Sequence, residues 1–169
     1  ALRAIQLISD NLRRAVACGE DPKARANMAL ASTLGGLCLG SVNTGAVHAL
    51  AYPLGGEYNV PHGVANSLLL PYVMRYNLIS DLQKFADIAV AMGRNIEGIP
   101  LRDAAEEAVD AVVQLCADIG ICAHMRELGV PEEAIDTMAE AAMDVTRLLS
   151  INPRRVTLEA ARQIYRNAY

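Results

Sequence analysis

The chain has 169 residues, of which 53% are hydrophobic, 20% charged and 4% aromatic, and its formal net charge is −4. This length suits one domain with a sizeable core. The chain has no basic block that would favour nucleic acid or an anionic membrane as a partner, and no apolar run approaches the roughly 18–20 residues of a transmembrane helix. The cysteines show neither CxxC nor zinc-knuckle spacing, which predicts reduced thiols in a cytoplasmic protein; they are Cys18, Cys38, Cys116 and Cys122.

Helices are predicted along almost the whole chain because alanine, leucine, methionine and glutamate are abundant. The first helix begins at Leu2, repeats apolar residues at intervals of three and four, and stops at Gly19. The chain starts inside this pattern without an initiator methionine or a capping residue, so we expect it to be a piece of a longer protein. A second helix is predicted over about 23–39, and Pro22, at the end of the GEDP turn, is expected at its first position. Its C-terminal half is apolar or small on every face, so we expect it to be buried all round.

A break at about 40–45 precedes a short predicted helix over about 46–51, followed by a turn-rich stretch, YPLGGEYNVPHG. An apolar helix is expected next, over about 64–76. Charged, amphipathic helices then follow at about 81–92, 101–119, 131–143 and 157–167, separated by prolines and glycines. No segment shows the alternation of a strand. The sequence therefore predicts an all-α multi-helix bundle in which residues 1–169 form a single domain.

The segment HALAYPLGGEYNVPHG, residues 48–63, contains two of the three histidines and only one charged side chain, Glu57. His48 and His62 are 14 residues apart, which is about 21 Å along a straight helix. Sharing one metal ion therefore requires the chain to reverse between them. Four intervening residues could provide that reversal: Pro53, Gly55, Gly56 and Pro61. Imidazole nitrogens suit iron, zinc, nickel or copper.

The alternative is that both imidazoles are core or turn residues bonded to the backbone. Two ligands make a weak metal site, and only Glu57 could add a carboxylate from within the segment. His124 stands alone on an amphipathic stretch, so we expect it at the surface or at a helix end. Spacing alone does not decide between a metal site and structural histidines.

Residues 45–77, GAVHALAYPLGGEYNVPHGVANSLLLPYVMRYN, resemble the histidine signature of the iron-containing (group III) alcohol dehydrogenases. Residues 1–36 resemble the helical pair that precedes this signature, and NPRRVTLEAARQIYRNAY resembles the C-terminal end of these enzymes. The resemblance covers essentially the whole chain in order. It implies the C-terminal, metal-binding helical domain of a two-domain, dehydroquinate-synthase-like fold whose N-terminal α/β domain, which binds NAD or NADP, is absent from this sequence.

The family resemblance also implies a divalent metal, usually Fe²⁺ and sometimes Zn²⁺. The two signature histidines correspond to His48 and His62, and an aspartate and a further histidine would come from a segment just upstream of residue 1. The implied reaction is hydride transfer between a small alcohol or aldehyde and nicotinamide, with the metal polarising the substrate oxygen. The implied partners are the substrate and the chain's own N-terminal domain, and exposed apolar surface favours a homo-oligomer.

The sequence departs from the family at Tyr52, where many members carry another histidine beside the nicotinamide. Position 52 is one helical turn after His48, so both side chains would face the same way. A tyrosine hydroxyl could still pass a proton to or from the substrate, although it is a weaker acid than imidazolium. Alternatively, Tyr52 packs against the cofactor or the bundle. By the same analogy, the loop at residues 147–154 is expected near the pocket.

Two other functions remain open from the sequence alone. One is a non-enzymatic helical module that kept the fold and binds a partner. The other is a sister enzyme with the same two-domain architecture, such as a glycerol dehydrogenase or a dehydroquinate-synthase-like cyclase. The long GEYNVPHGVAN segment fits the alcohol dehydrogenases better than these sister enzymes.

Overall fold

The computed structural model describes all residues from Ala1 to Tyr169 and contains α-helices and two 3₁₀ helices but no strand, which confirms the all-α prediction. The α-helices are α1 (Leu2–Ala17), α2 (Pro22–Val42), α3 (Ala46–Tyr58), α4 (His62–Asn77), α5 (Leu82–Ala91), α6 (Leu101–Asp118), α7 (Ala134–Met143), α8 (Thr146–Leu149) and α9 (Leu158–Ala168); the 3₁₀ helices are Leu78–Ser80 and Met125–Leu128.

Contacts between Cα atoms divide the chain into two compact units. The first unit comprises Ala1–Val42 and Asp81–Ile119, and the second comprises Asn43–Ser80 and Gly120–Tyr169. That residues 1–169 form a single domain therefore stays a prediction. None of the helices is by itself both long enough and apolar enough to cross a membrane; α2 and α3 reach that length and hydropathy only as a broken pair.

In the first unit, α1 packs on α2, and α5 packs on α6. Helix α2 begins as the sequence predicts, with Pro22 at its first position and the Asp21 carboxylate accepting a hydrogen bond from the Ala24 N–H at 2.8 Å. The expectation that α2 is buried all round is wrong: only Ala24 and Ala31 are buried, and Leu37 is 71% exposed. An apolar composition shows that a helix could be buried, but the neighbouring helices determine whether it is. Here α1 covers only one face of α2.

In the second unit, α3 packs against α4 and α7, and α9 packs against α4 and α7. The core between these helices contains large side chains that are fully buried: Leu50, Leu54, Leu69, Met138, Leu148 and Tyr165. The Tyr165 hydroxyl donates a hydrogen bond to the Leu50 carbonyl at 2.6 Å, which ties α9 to α3. Helix α9 begins as predicted, because Thr157 Oγ1 accepts a hydrogen bond from the Ala160 N–H at 3.1 Å.

The predicted start of the short helix at residue 46 is confirmed, but its predicted end at 51 is wrong, because α3 continues through Pro53, Gly55 and Gly56 to Tyr58 and leaves only residues 59–61 for the turn. Proline and glycine both weaken a helix interior. Here the buried face of α3 outweighs that tendency, since Pro53 is itself buried among apolar neighbours of the core. Tertiary packing therefore keeps the segment helical where its local composition favours a turn.

The chain reverses after α3 rather than at its glycines. Asn59 adopts the left-handed conformation with φ 54°, and the Val60 N–H then donates to the Leu54 carbonyl at 3.1 Å, so the chain returns along α3. Pro61 then precedes α4 with its φ near the value that a proline ring imposes. Of the residues predicted to provide the reversal, Pro61 does so.

Candidate metal centre

The reversal between α3 and α4 brings the two signature histidines together. His48 lies in the first turn of α3, and His62 is the first residue of α4. Their ring centroids are 5.2 Å apart and the ring planes are inclined by 58°. The structure therefore places side by side two imidazoles that a straight helix would separate by about 21 Å.

This separation can be compared with the geometry of a shared metal ion. A transition metal lies about 2.1 Å from each imidazole nitrogen, which is roughly 3.2 Å from each ring centroid. Ligand–metal–ligand angles of about 90–110° then place the centroids about 4.6–5.3 Å apart. The observed distance falls in this range. The distance between the ring centroids is therefore compatible with two imidazoles that share one ion.

The surroundings of His48 favour the form of imidazole that binds a metal. The ring is half-buried, and burial lowers the pKa of His48 below its usual value, with a further lowering from the neighbouring His62. A neutral imidazole offers a lone pair to a metal, whereas imidazolium does not. His62 is exposed at the start of α4.

Asn66 adds a polar group that sequence reasoning missed. It lies one turn after His62, and its Nδ2 is 2.8 Å from the His62 carbonyl oxygen and 3.2–3.3 Å from the two ring nitrogens. Its Oδ1 is buried without a hydrogen-bond partner, which is unusual for a polar atom in a folded protein. The available signal was its spacing of four residues from His62 on a predicted helix.

His48 and Asn66 line the same shallow pocket, which has a volume of about 290 Å³. Its other lining residues come from the start of α3 and the middle of α4: Thr44, Gly45, Val47, Ser67 and Leu70. The orphaned Asn66 oxygen and the His48 imidazole are polar groups in a pocket whose wall is partly apolar. Such a combination of a few polar groups and an apolar lining is typical of small-ligand sites.

Tyr52 lies on α3 one turn after His48, and its side chain is 46% exposed. Its hydroxyl forms no hydrogen bond within the chain. The Tyr52 hydroxyl is therefore available to a partner outside the chain, and its role toward cofactor or substrate stays a prediction.

The loop at residues 147–154 contacts the beginning of α3. Asn152 Oδ1 accepts a hydrogen bond from the Ala46 N–H at 3.3 Å, and Ala46 is two residues before His48. The loop thus meets the helix that carries the first histidine. Sequence reasoning named this loop as a whole and did not single out Asn152.

The third histidine is separate from this site. His124 precedes the 3₁₀ helix Met125–Leu128, and its N–H donates to Glu127 Oε1 at 2.8 Å, so the prediction of a helix-end residue is confirmed. All four cysteines are free thiols. No group of three or more histidine, cysteine, aspartate or glutamate side chains is arranged to hold a metal ion. The chain on its own therefore offers an incomplete donor set.

Comparison with known proteins identifies the family. The model of the Fe-containing alcohol dehydrogenase family, C-terminal part, matches residues 1–169. A 1,3-propanediol dehydrogenase of Citrobacter freundii is 51% identical over the whole chain, and a lactaldehyde reductase of Escherichia coli (strain K12) is 44% identical over 99% of it.

The chain spans 43% of the length of each of these relatives. The crystal structure of a 1,3-propanediol oxidoreductase superposes on 99% of the chain with a TM-score of 0.97 and 49% identity, and the chain covers 44% of that structure. The chain therefore belongs to the Fe-containing alcohol dehydrogenase family and corresponds to its C-terminal, helical part.

Proposed function

We propose that this chain is the C-terminal part of an NAD- or NADP-dependent alcohol dehydrogenase in which His48 and His62 hold a divalent cation, Fe²⁺ or Zn²⁺. The observation that supports this most directly is the 5.2 Å between the two ring centroids. A structural role for either ring would not require the two to meet, whereas a shared ion does. Membership of the family supports the reaction type.

Two histidines are half of a tetrahedral donor set, so the remaining ligands must come from outside these residues. The relatives are more than twice as long as this chain. We assign the other ligands and the binding of the nicotinamide cofactor to the part of the protein that precedes residue 1. Association into a homo-oligomer belongs to the same proposal, because the exposed apolar side chains of α2 provide surface for it.

When bound, the cation supplies Lewis acidity toward the substrate oxygen while the nicotinamide exchanges the hydride. The chain's own residues prepare the site for this chemistry. The turn between α3 and α4 brings the two imidazoles together, and burial lowers the pKa of His48, which favours the neutral form that binds a metal. The Tyr52 hydroxyl is available to exchange a proton with the substrate or to lie against the nicotinamide.

For the substrate we propose a short alcohol or aldehyde that carries a second oxygen. The relatives at 51% and 44% identity are named for 1,3-propanediol and lactaldehyde, both three-carbon compounds with two oxygens. The full-length protein is then expected to show a higher kcat/KM for 1,3-propanediol than for 1-propanol. A preference for 1-propanol would contradict this assignment without affecting the metal site.

The metal site is tested in the full-length protein by preparing it metal-free and titrating it with Zn²⁺. His48→Ala and His62→Ala each remove a ligand, so each should weaken Zn²⁺ binding by more than the 10–100-fold that loss of an outer partner costs. Turnover should fall with metal content. His124→Ala is the matched control, because it removes the same side chain outside the site. Undiminished metal binding and turnover in the His48→Ala, His62→Ala double variant would refute the proposed function.

A further inference from the structure

Two asparagines, Asn77 and Asn152, form a buried polar pair in the second unit, 8% and 9% exposed. Asn152 Nδ2 donates to Asn77 Oδ1 at 2.7 Å, and Asn77 Nδ2 donates to Asn152 Oδ1 at 3.0 Å. Asn77 is the last residue of α4, and Asn152 lies between α8 and α9. Two buried amides need hydrogen-bond partners. The pairing with Asn77 supplies two of the four hydrogen bonds that the Asn152 side chain makes.

Two backbone groups fix the orientation of the Asn152 amide. The Arg154 carbonyl accepts a hydrogen bond from Asn152 Nδ2 at 2.6 Å, and the Ala46 N–H donates to Asn152 Oδ1 at 3.3 Å. A carbonyl can only accept and an N–H can only donate, so the amide oxygen must face α3. The orientation therefore follows from the hydrogen-bond network.

Ala46 is the first residue of α3, and its N–H is one of those that a helix cannot satisfy internally. The residue before it, Gly45, offers no side chain for capping. A Cβ at position 45 would lie only 3.2 Å from Asn152 Oδ1, so glycine leaves the room that the asparagine occupies. Asn152 thus caps α3 from 106 residues further along the chain.

This cap acts on the turn that carries the first metal-binding candidate. His48 lies two residues after Ala46, so the position of its ring depends on the backbone of that turn. Uncapped first turns open more readily than capped ones. We propose that Asn152 is a positioning residue for metal binding, whose Oδ1 holds the first turn of α3 so that His48 faces His62. This inference rests on the proposed function.

The test compares two cap deletions in the metal-free, full-length protein. Asn152→Ala removes the cap of α3, and Thr157→Ala removes the cap of α9 in the same unit. Co²⁺ binding is measured by absorption titration, which reports both affinity and ligand geometry. Asn152→Ala is expected to weaken Co²⁺ binding about 10–100-fold, as loss of an outer partner does, and to change the absorption bands of the bound ion. Thr157→Ala is expected to lower thermal stability and leave Co²⁺ binding unchanged.

A rescue variant separates positioning from general destabilisation. In the Asn152→Ala background, Gly45→Ser supplies a local capping hydroxyl where the asparagine oxygen no longer crowds it. This double variant should recover most of the lost Co²⁺ affinity. If Asn152→Ala does not fold, Gly45→Ala takes its place, because its Cβ presses on the same oxygen without deleting a buried amide. It should also weaken Co²⁺ binding.

The outcomes distinguish this inference from the proposed function. Normal Co²⁺ affinity in a folded Asn152→Ala variant, or in Gly45→Ala if that variant is used, would overturn the positioning role. If His48→Ala and His62→Ala still weaken binding in that case, the metal site stands and only the role of Asn152 is refuted. If neither histidine variant weakens binding, the proposed function fails as well.

Discussion

Replacing Tyr165 by phenylalanine should lower the free energy of unfolding at neutral pH. In alkali this loss should shrink, and at still higher pH the variant should become the more stable protein. The ring is fully buried, and its hydroxyl donates to the Leu50 carbonyl at 2.6 Å. Losing one neutral hydrogen bond while the acceptor keeps its helical partner should cost about 1–2 kcal/mol. Phenylalanine fills nearly the same volume, so a cavity contributes little to this cost.

The pH dependence follows from the ionisation of the phenol. Burial raises the pKa of Tyr165 well above its usual value, and the nearby Glu57 raises it further. The tyrosine therefore ionises in the unfolded chain at a pH where the folded chain still holds the proton. Its stabilising effect is complete below the unfolded-state pKa of about 10 and then declines by about 1.4 kcal/mol per pH unit. Phenylalanine carries no such dependence.

The free energies of unfolding of the wild type and Tyr165→Phe should become equal near pH 11, about one pH unit above the unfolded-state pKa. At that pH the wild type has lost the advantage of about 1–2 kcal/mol that its hydrogen bond gives at neutral pH. Urea unfolding of the wild type and Tyr165→Phe, followed by far-ultraviolet circular dichroism from neutral to strongly alkaline pH, measures this difference. Tyr52→Phe is the control, since its exposed hydroxyl has no partner in the chain. A difference between wild type and Tyr165→Phe that stays constant across this range would show that the Tyr165 hydroxyl is not protected in the folded state.

Three further substitutions probe the two units by urea unfolding. Thr157→Ala removes the side-chain cap of α9 and should cost about 1 kcal/mol, whereas Thr157→Ser should cost much less; equal losses would contradict the capping role. Met138→Ala opens a cavity at a fully buried position and should cost about 2–5 kcal/mol, far more than Met138→Leu. Asp81 caps α5, and the Lys84 N–H and side chain hold the pKa of the Asp81 carboxylate below its usual value. The stabilising effect of this carboxylate is therefore fully present above the unfolded-state pKa of about 4. It is lost as the pH falls through the lower folded-state pKa. Asp81→Asn should flatten that acid-side loss, and an unchanged pH profile would argue against it.

The helical content, most helix boundaries and the pair of metal-binding candidates could be predicted from the sequence. Helical periodicity and capping residues act locally, so the starts of α2 at Pro22 and of α9 after Thr157 could be predicted without knowledge of the fold. The choice of His48 and His62 came from residue type and family resemblance.

The position at which the chain turns and the surroundings of the histidines depend on how the helices pack. Pro53 and the two glycines after it favour a turn locally, yet burial of α3 keeps them helical and moves the reversal to Asn59. The exposure of α2 depends on which neighbours cover it, and periodicity does not contain that information. The cap that Asn152 gives to α3 joins residues 106 positions apart, and no local pattern encodes a hydrogen bond that exists only after the chain has folded.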